Sequence, residues 1–486
     1  MNGKIVVYFL GWVLLIEGVS LAIPCLISLI LNEGDVWPWF LVTMAISVVP
    51  GLIAIRKKNR SGHFYAREGF LVTALGWILL SLIGALPFFL SGRIPNYMDA
   101  LFETASGFTT TGSSVLSDVE ALGKGLLFWR SFTHWIGGMG VLVLILAIMP
   151  HGGGESMQIM KAESPGPSVS KLVPRVRETA LFLYLIYFGM TALAILSYFI
   201  SGMPLFDAVC IGFGTAGTGG FTVRNSGMGD YSYVSQILIT IWMILFGVNF
   251  SAYYLMVRRK WKESFSIEEV FVYLGIIVLA TALLTIGVRM TEGQGGTHGF
   301  FYSLHHASFT LASIISTTGF STVNFDVWPG FARAILLIVM CIGACAGSTG
   351  GGFKVSRLII LVKEAKNELH YLVHPKSVRV VKLNGKPVES STLRSVNNYF
   401  ILYVAVFAVS VLLISFNGFD FATNFSAVAA TLNNIGPGLS IVGPYGNFSS
   451  FSTFSKIVLT FDMIAGRLEL LPMLLIFHKN IWSKHF

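Results

Sequence analysis

Long apolar blocks constrain this chain more than any other feature of its sequence. One is FLVTALGWILLSLIGALPFFL at residues 70–90, and another is ALFLYLIYFGMTALAILSYFI at residues 180–200. A helix rises about 1.5 Å per residue, so each block is long enough to span the roughly 30 Å hydrocarbon core of a bilayer. Only 12% of the residues are charged, against about 25% in soluble domains. The sequence therefore predicts a polytopic membrane protein.

The hydropathy pattern predicts ten full membrane spans. They start near Ile5, Val36, Phe70, Gly125, Ala180, Val234, Val270, Phe331, Tyr399 and Phe454. Basic residues collect on one side of these spans, in RKKNR at 56–60, in 171–177, in RRKWK at 258–262 and in 354–394. Because loops rich in Lys and Arg stay in the cytoplasm, both termini are predicted to lie there. The first apolar block is too long for a signal peptide.

The net charge of +9 follows from this predicted topology and does not indicate nucleic-acid binding. The cysteines lie in or beside apolar spans: Cys25, Cys210, Cys341 and Cys345. Cys341 and Cys345 could share a helix face. Buried thiols that pack as small hydrophobic side chains nevertheless explain the four better than a metal or redox pair does.

The stretch GFGTAGTGG at 212–220 matches the G-x-G-x-x-G pattern of a dinucleotide-binding turn. In that fold the motif follows a strand, opens a helix and precedes an acidic residue by about 20 positions. Here it lies between two membrane spans, on the predicted outer side. The pattern is therefore not a nucleotide site, and its glycines need another explanation.

Three further stretches share the character of this one. They are ALFETASGFTTTGSSV at 100–115, SFTLASIISTTGFSTV at 308–323 and FSAVAATLNNIGPGLSI at 425–441. Each is an apolar segment of about ten residues that ends in a polar stretch with glycine, between two spans. The aligned glycines are Gly112, Gly219, Gly319 and Gly436. The chain thus contains four copies of span, short segment, glycine loop and span, after two extra helices.

A ten-residue helix is about 15 Å long, which is half a membrane. Such a segment must return as irregular backbone, which is tolerated at that depth only when it is buried in protein or lines a water-filled path. Four copies that enter from one side would surround a common axis. A ring of backbone carbonyls that replaces the hydration shell of an ion is how selectivity filters work. The alternative is that the loops are capped re-entrant turns that stabilise a bundle.

The predicted fold is an all-α polytopic membrane protein with four pseudo-repeats of helix, pore half-helix, filter loop and helix around one central pore. The predicted divisions are 1–68 for the two extra helices and a basic loop, 69–178 for repeat 1, 179–265 for repeat 2, 266–397 for repeat 3 and 398–486 for repeat 4. Repeat 3 also carries a gate loop and a cytoplasmic segment.

With its four loops, two additional N-terminal helices and the glycine run at 347–352, the chain resembles the TrkH branch of the Trk/Ktr/HKT superfamily of potassium uptake systems. The resemblance implies potassium uptake across the bacterial cytoplasmic (inner) membrane, a homodimer and a cytosolic nucleotide-binding regulatory subunit of the TrkA kind. It places potassium at Thr110, Thr111, Gly112, Gly217, Thr218, Gly219, Thr317, Thr318, Gly319, Asn434, Ile435 and Gly436. The fourth loop, with Asn434 and Pro437, departs furthest from the family pattern.

The segment ACAGSTGGGFK at 344–354 interrupts the second span of repeat 3. Its glycines are typical either of close helix packing or of a flexible loop that obstructs the path below the filter. The resemblance favours a gate formed by Gly347, Ser348, Thr349, Gly350, Gly351 and Gly352 together with Arg467. Arg467 lies deep in the last span and needs a partner or a wet cavity, and the alternative for it is an ion pair with Asp462 or Glu469.

Other ionisable residues are interpreted more simply. Asp99, Glu103 and Asp207 are expected near the outer ends of the half-helices, where acids complement helix N-termini and also attract cations. His305 and His306 are not expected to be ligands. Glu17, in a helix outside the repeats, is expected to serve packing or dimerisation.

Two functions remain open from the residues. One is a channel-like potassium-translocating subunit gated by a cytosolic partner that docks on the basic segments 149–178 and 354–394. The other is a coupled secondary transporter of sodium, or of potassium with sodium or protons. The parallel repeats and the lack of carboxylates along the loops favour the first. No enzymatic motif and no turn for an organic cofactor stand in a suitable context, so an enzyme is not predicted.

Overall fold

The computed structural model describes residues 3–56, 66–140, 176–292, 299–377 and 379–482. These residues are mostly helical, and the strands among them form one antiparallel hairpin of Lys382–Leu383 (β1) and Lys386–Pro387 (β2). Two of the basic segments, RKKNR beyond Arg56 and residues 171–175, lie outside the described residues, as does 149–175 of the predicted docking surface.

Three helices precede the predicted repeats: α1 (Gly3–Ser20), α2 (Ala22–Ile30) and α3 (Trp37–Arg56). α1 and α3 meet at small residues, since a Cβ on Gly11 would lie 3.0 Å from the Gly51 carbonyl oxygen. Ser47 Oγ on α3 also donates to the Leu14 carbonyl at 2.7 Å. Helices in lipid are not driven together by the hydrophobic effect. Close packing of small residues and interhelical hydrogen bonds stabilise their association instead.

The remaining helices form four groups of similar order, which we call units one to four. Unit one comprises α4 (Ala66–Gly84), α5 (Leu86–Leu90), α6 (Tyr97–Phe108) and α7 (Lys124–Gly138). Unit two comprises α8 (Val176–Ile200), α9 (Leu205–Gly217), α10 (Tyr233–Phe246) and α11 (Phe250–Val257). In each unit a long helix is followed by a shorter one, a loop and a further helix.

The second half of the chain follows the same order. After α12 (Trp261–Ser264), unit three comprises α13 (Glu268–Glu292), α14 (Phe300–Ile315) and α15 (Gly330–Ile342). α16 (Val355–Val373) and the hairpin then lead to unit four, which comprises α17 (Ser390–Ile414), α18 (Phe421–Leu432) and α19 (Thr453–Arg467). α20 (Leu471–Ile476) follows. The short helices α6, α9, α14 and α18 are the segments predicted as half-helices.

The prediction of ten full spans is wrong for the last helices of units three and four, which we call their closing helices, as we do for the last helix of each other unit. Among the described residues, six segments are long and apolar enough to cross a membrane. They are Gly3–Ile30, Trp37–Arg56, Arg67–Leu90, Ala180–Ile200, Glu268–Arg289 and Ser390–Asn417. A bent pair, α10 with α11, makes a seventh if it is counted as one span. The spans expected from Phe331 and Phe454 are therefore not continuous helices.

Local backbone conformation explains where these closing helices stop. α10 and α11 meet at a 90° bend, and α15 stops at Gly343, whose φ is +74°. α19 ends before Glu469 and Leu470, which both have positive φ. α7 ends at Gly138, shortly before the described residues stop at 140. Left-handed residues end helices, so apolar composition overstated the lengths of α15 and α19.

Candidate ion pathway

The four short helices end in the same way. At each C-terminus a buried, non-glycine residue adopts the left-handed conformation: Thr110 (φ +56°), Thr218 (+54°), Thr317 (+59°) and Asn434 (+55°). In unit one its N–H donates to Gly107 at 3.1 Å, and the next N–H, of Thr111, donates to Ser106 at 2.9 Å. The other three units repeat both bonds with the same spacing. This pattern is the Schellman motif, which satisfies the last carbonyls of a helix.

Two residues after each of these positions stands a glycine with positive φ. The four are Gly112 (+82°), Gly220 (+81°), Gly319 (+85°) and Gly436 (+100°). In unit two the equivalent residue is thus Gly220, one position later than Gly219, which the sequence alignment chose. We call residues 110–112, 218–220, 317–319 and 434–436 glycine loops one to four. Gly217, predicted as the first residue of loop two, is instead the last residue of α9.

The glycine loops meet in a closed ring. A Cβ placed on each positive-φ glycine would strike a backbone carbonyl oxygen of the next loop. The contacts are Gly112 to Gly219 at 2.1 Å, Gly220 to Thr318 at 2.0 Å, Gly319 to Ile435 at 1.9 Å and Gly436 to Thr111 at 2.9 Å. Each carbonyl belongs to the middle residue of its loop, and the fourth contact returns to loop one. The ring thus brings all four predicted glycine motifs together around one point.

Gly219 has no room for a side chain either, but the group that it would strike is not a backbone carbonyl of the next loop. It has no positive φ, but a Cβ on it would lie 2.2 Å from Cγ of His134 and 2.4 Å from its Nδ1. The imidazole of His134, on α7, therefore lies flat against the backbone of glycine loop two. Two adjacent glycines thus serve two contacts, one with a side chain and one with the neighbouring loop.

A cavity of about 140 Å³ lies on the side of the ring where the loops return, which we call the entry side. Gly112, Gly220, Gly319 and Gly436 all line it. Its other lining groups are largely polar and include Ser113, Ser114, Thr222, Asn225, Ser321 and Asn447. One glycine from every unit is therefore accessible from a single polar vestibule.

Three carboxylates on the short helices α6 and α9 are paired with cations. Asp99 accepts from Lys456 Nζ at 2.6 Å, Glu103 from Arg130 Nε at 2.6 Å and Asp207 from Arg224 at 3.0 Å. Glu103 lies within α6 and is buried, not at the outer end as predicted. These acids therefore hold the structure together, and their charges are largely compensated.

Hydrogen bonds at the rim of the vestibule connect units one and two. Asn225 Nδ2 donates to Asp118 at 2.8 Å, and the Val119 N–H donates to Asn225 Oδ1 at 2.8 Å. The bond from Asn225 lowers the pKa of the exposed Asp118 carboxyl. Farther along the chain, His305 bonds to Gln236 and His306 to Thr322, so both histidines have protein partners.

The opposite side of the ring, which we call the far side, is covered by residues 343–354. We call this segment the crossing loop, and it connects α15 with α16. Gly351 N–H donates to the Thr317 hydroxyl of glycine loop three at 2.6 Å. A Cβ on Gly351 would lie 2.4 Å from the Asn433 carbonyl oxygen, and one on Gly350 would lie 2.9 Å from that of Ser316. Gly350 and Gly351 therefore lie directly against glycine loops three and four, whereas Gly347 lies against Asn249 and Gly352 against Gly343.

Arg467, at the end of α19, holds the crossing loop to unit one. Its guanidinium donates to the Thr349 carbonyl at 2.7 Å and to the carbonyls of Gly137 and Gly138 at 2.7 Å and 2.5 Å. The last two belong to the C-terminal end of α7, where a cation is electrostatically favourable. Of the carboxylates weighed as alternatives, Glu469 pairs with Arg357 and Asp462 accepts from Ser410.

Two groups around the crossing loop escaped prediction from the sequence. Glu269 Oε1 accepts from the N–H groups of Ala346 at 2.6 Å and Ser356 at 3.0 Å, and so holds both ends of the loop. Lys354, 2% exposed and with φ +83°, donates to the Gly350 carbonyl. The presence of Lys354 beside the glycine run was the available signal, because a buried lysine inside a membrane segment must bond to something.

Comparison with known proteins identifies the family of the chain. A family model for TrkH, described as a cation transport protein, matches residues 39–292 and 300–486. The chain belongs to the TrkH family. The Trk system potassium uptake protein TrkH of Salmonella typhimurium is 35% identical, with all of both chains covered. The Trk system potassium uptake protein TrkG of Escherichia coli K12 is 31% identical, over 99% of this chain and 98% of its own length.

A solved structure is also similar throughout. The crystal structure of the potassium transporter TrkH from Vibrio parahaemolyticus matches with a TM-score of 0.89 at 31% identity, and covers 99% of this chain and 100% of its own. The predicted family and the predicted all-helical, multi-pass membrane fold are therefore confirmed. As a member of the TrkH family, the chain is a membrane transport protein and not an enzyme.

The two adjacent glycines of unit two can be separated by experiment. We expect Gly219→Ala to destabilise the protein less in a His134→Ala background than in the wild type, because the three atoms nearest to its Cβ all belong to the imidazole. Gly220→Ala should keep most of its cost in the His134→Ala background, since its clash is with the Thr318 backbone and its φ of +81° disfavours any side chain. The clash costs about 1–3 kcal/mol, and the thermal unfolding of purified single and double variants measures it. Equal coupling of both glycines to His134 would contradict the assigned register.

Proposed function

We propose that this protein takes up potassium through the ring of glycine loops. The observation that carries the proposal is the closed cycle in which the middle carbonyl of every loop abuts the glycine of its neighbour. Backbone carbonyls in a ring can replace the hydration shell of potassium. The relatives named above as potassium uptake proteins support the choice of ion.

Two electrostatic features favour a cation at the ring. The C-termini of four short helices converge on it, and each carries about half a negative charge from its aligned peptide dipoles. In addition, the hydroxyl of Thr110 and Oδ1 of Asn434 find no hydrogen-bond partner among the described residues, although both are buried. Oxygen atoms left in this way are suitable ligands for an alkali ion.

Glycine loop four is built differently from the other three. Asn434 replaces threonine, and its Nδ2 donates to the Thr111 hydroxyl at 2.8 Å and to the Met463 carbonyl at 2.9 Å. The amide therefore fixes loop four to loop one. The departure from the threonine pattern is thereby compensated by a bond inside the ring, which supports a role for loop four in the same filter.

A channel-like pathway is favoured over the coupled transporter. Glu103, which accepts hydrogen bonds from Ser114 and Val115 just after glycine loop one, is buried and neutralised by Arg130 at 2.6 Å. Coupled carriers keep ionisable groups at the substrate site near the middle of the membrane. Asp462 is the one observation that favours a coupled transporter, because it is fully buried and its Oδ2 has no hydrogen-bond partner among the described residues.

Reversal potentials of the reconstituted protein in opposing potassium and sodium gradients test this proposal. We expect the potential to follow the potassium gradient, because a ring of backbone carbonyls can replace the hydration shell of potassium. In a symmetric potassium solution, an imposed proton gradient should leave the reversal potential at zero. A potential that follows sodium would contradict the ion assignment, and one that follows protons would favour the coupled transporter. Asp462→Asn is then the variant to compare.

We further propose that the crossing loop is a gate held closed by Arg467. Four facts support this: the loop covers the far side of the ring, it donates to Thr317, Glu269 holds both of its ends, and its glycines allow a second arrangement. The positive charge of Arg467 also opposes a cation at the far side. In this arrangement the loop would have to leave the glycine loops before ions could pass.

Removing the hold on this loop should raise basal flux. Arg467→Ala loses charged hydrogen bonds of about 1.5–3 kcal/mol in all, which shifts a closed–open equilibrium by about ten- to a hundredfold. Deletion of Gly351 and Gly352 should have the same effect. Arg467→Lys keeps the charge but not the fork of donors, so an intermediate flux is expected. Potassium uptake into proteoliposomes, normalised to folded protein, is the measurement.

Arg93→Ala is the matched control, because Arg93 forms an exposed ion pair with Asp35 far from the crossing loop in the described structure. It should leave basal flux unchanged. If folded Arg467→Ala and loop-deletion proteins both show wild-type flux, the loop is a packing element and not a gate.

We also propose that the chain acts as a homodimer in the bacterial cytoplasmic membrane, with both termini inside and a nucleotide-binding regulatory subunit docked on the basic segment 354–394. Support comes from exposed basic residues on α16, on the hairpin and between the two, including Lys366, Lys386 and Arg379. Lys363, also a candidate by its charge, is instead engaged within the chain, since it pairs with Glu268 at 2.5 Å and donates to Lys382.

Charge reversal of the exposed basic residues tests this docking surface. Lys366→Glu, Arg379→Glu and Lys386→Glu together should reduce co-purification of a TrkA-like subunit, because an acidic partner surface would be repelled. Arg333→Glu, a similar change on the entry side, should have no effect. Retention of the partner by the triple variant at low salt would place the docking surface elsewhere.

A further inference from the structure

His134 is the side chain through which unit one contacts the backbone of glycine loop two. It lies on α7, is fully buried, and stands between the end of α6 and the segment that follows Gly220. Nδ1 is 2.7 Å from the carbonyl oxygen of Gly107, and Nε2 is 3.2 Å from the backbone nitrogen of Phe221. One imidazole thus connects two different units of the ring.

These two partners determine the tautomer of the ring. The Gly107 carbonyl can only accept a hydrogen bond, so Nδ1 must carry a proton. The Phe221 N–H can only donate, so Nε2 must be unprotonated. His134 is therefore neutral in this arrangement and bears its proton on Nδ1.

A second contact from α7 holds the same segment. Arg130 lies one turn before His134, donates to the Thr222 carbonyl at 2.9 Å, and has its guanidinium 3.5 Å from the centre of the Phe221 ring. Glu103 fixes Arg130 in turn. His134 thus binds the N–H of Phe221, and Arg130 binds the carbonyl of Thr222.

Unit four handles the matching position without an imidazole. Gly137 in unit one corresponds to Gly466 in unit four. A Cβ on Gly137 would lie 1.8 Å from the Phe108 carbonyl oxygen, and one on Gly466 would lie 2.0 Å from that of Leu432. Phe108 and Leu432 each stand two residues before the left-handed residue of their unit. Three residues earlier stand His134 and Met463. Met463 offers a backbone carbonyl to Asn434 instead of a side chain.

We propose that His134, as the Nδ1–H tautomer, is a positioning residue that sets ion selectivity by holding glycine loop two. This inference rests on the proposed function of the ring. Gly220 touches the carbonyl of Thr318 and its neighbour Gly219 offers its carbonyl to Gly112, so loop two contacts the loops on both sides. Release of the Phe221 N–H would let loop two move and would alter the spacing of two of the four contacts.

The tautomer can be observed without transport. In protein labelled with 15N-histidine and reconstituted in bilayers, the His134 signals are identified as those missing from the His134→Gln spectrum. We expect a protonated Nδ1 and an unprotonated Nε2. An Nε2–H tautomer or an imidazolium would overturn the proposal, whatever ion the protein carries.

Three substitutions then test the effect on selectivity. His134→Gln keeps an acceptor near the Nε2 position, His134→Asn keeps a donor near Nδ1, and His134→Leu keeps neither. We expect the potassium-to-sodium permeability ratio to fall about tenfold in the Leu and Asn variants, because a buried N–H loses its acceptor. Substantial recovery is expected in the Gln variant.

His305→Leu is the control, since His305 bonds to Gln236 on α10 and not to a glycine loop. It should leave the ratio unchanged. Wild-type ratios in folded Leu and Asn variants would overturn the inference, as would a Gln variant no better than Leu. A wild-type protein without potassium preference would instead reject the proposed function, and the tautomer experiment would still stand.

Discussion

The contact between each loop glycine and the middle carbonyl of the next loop is the constraint on which the rest of this structure depends. Four such contacts close a cycle, and the last of them joins loops that are more than 300 positions apart in the chain. At 1.9–2.9 Å from an added Cβ, they leave no room for a side chain at these glycines. The units must therefore approach one axis with backbone against backbone, and a shift in one loop is transmitted to both of its neighbours.

The helix ends that feed this ring carry backbone strain. Three threonines and one asparagine adopt the left-handed conformation, which costs about 1–3 kcal/mol for each residue outside glycine. Schellman hydrogen bonds and complete burial offset that cost. In return, four negative helix ends face one point, so the same geometry that strains the backbone also favours a cation there. The half-buried Arg467 and the buried Lys354 lie on the far side and bond to backbone carbonyls.

Much of the fold could be predicted from local signals. Apolar length, the fourfold recurrence of the glycine motifs and the short segments before them were sufficient for an all-helical membrane protein with four similar units. The ends of the closing helices in units three and four could not be predicted, because hydropathy does not show that Gly343 or the Glu469–Leu470 pair takes a positive φ. Nor could it distinguish Gly219 from Gly220, which differ only in what packs against them: the ring of His134 and the carbonyl of Thr318.

The sequence by itself determined that the chain is a membrane protein, because this depends on composition. It also determined the positions of the short helices and the glycine motifs, because these depend on spacing along the chain. Only the tertiary structure decided which groups meet. Arg467 could have paired with Asp462 or Glu469 nearby, yet it bonds to carbonyls of α7 in unit one. Contacts of this kind are set by how backbones pack around a shared axis, and no local preference of the residues involved encodes that packing.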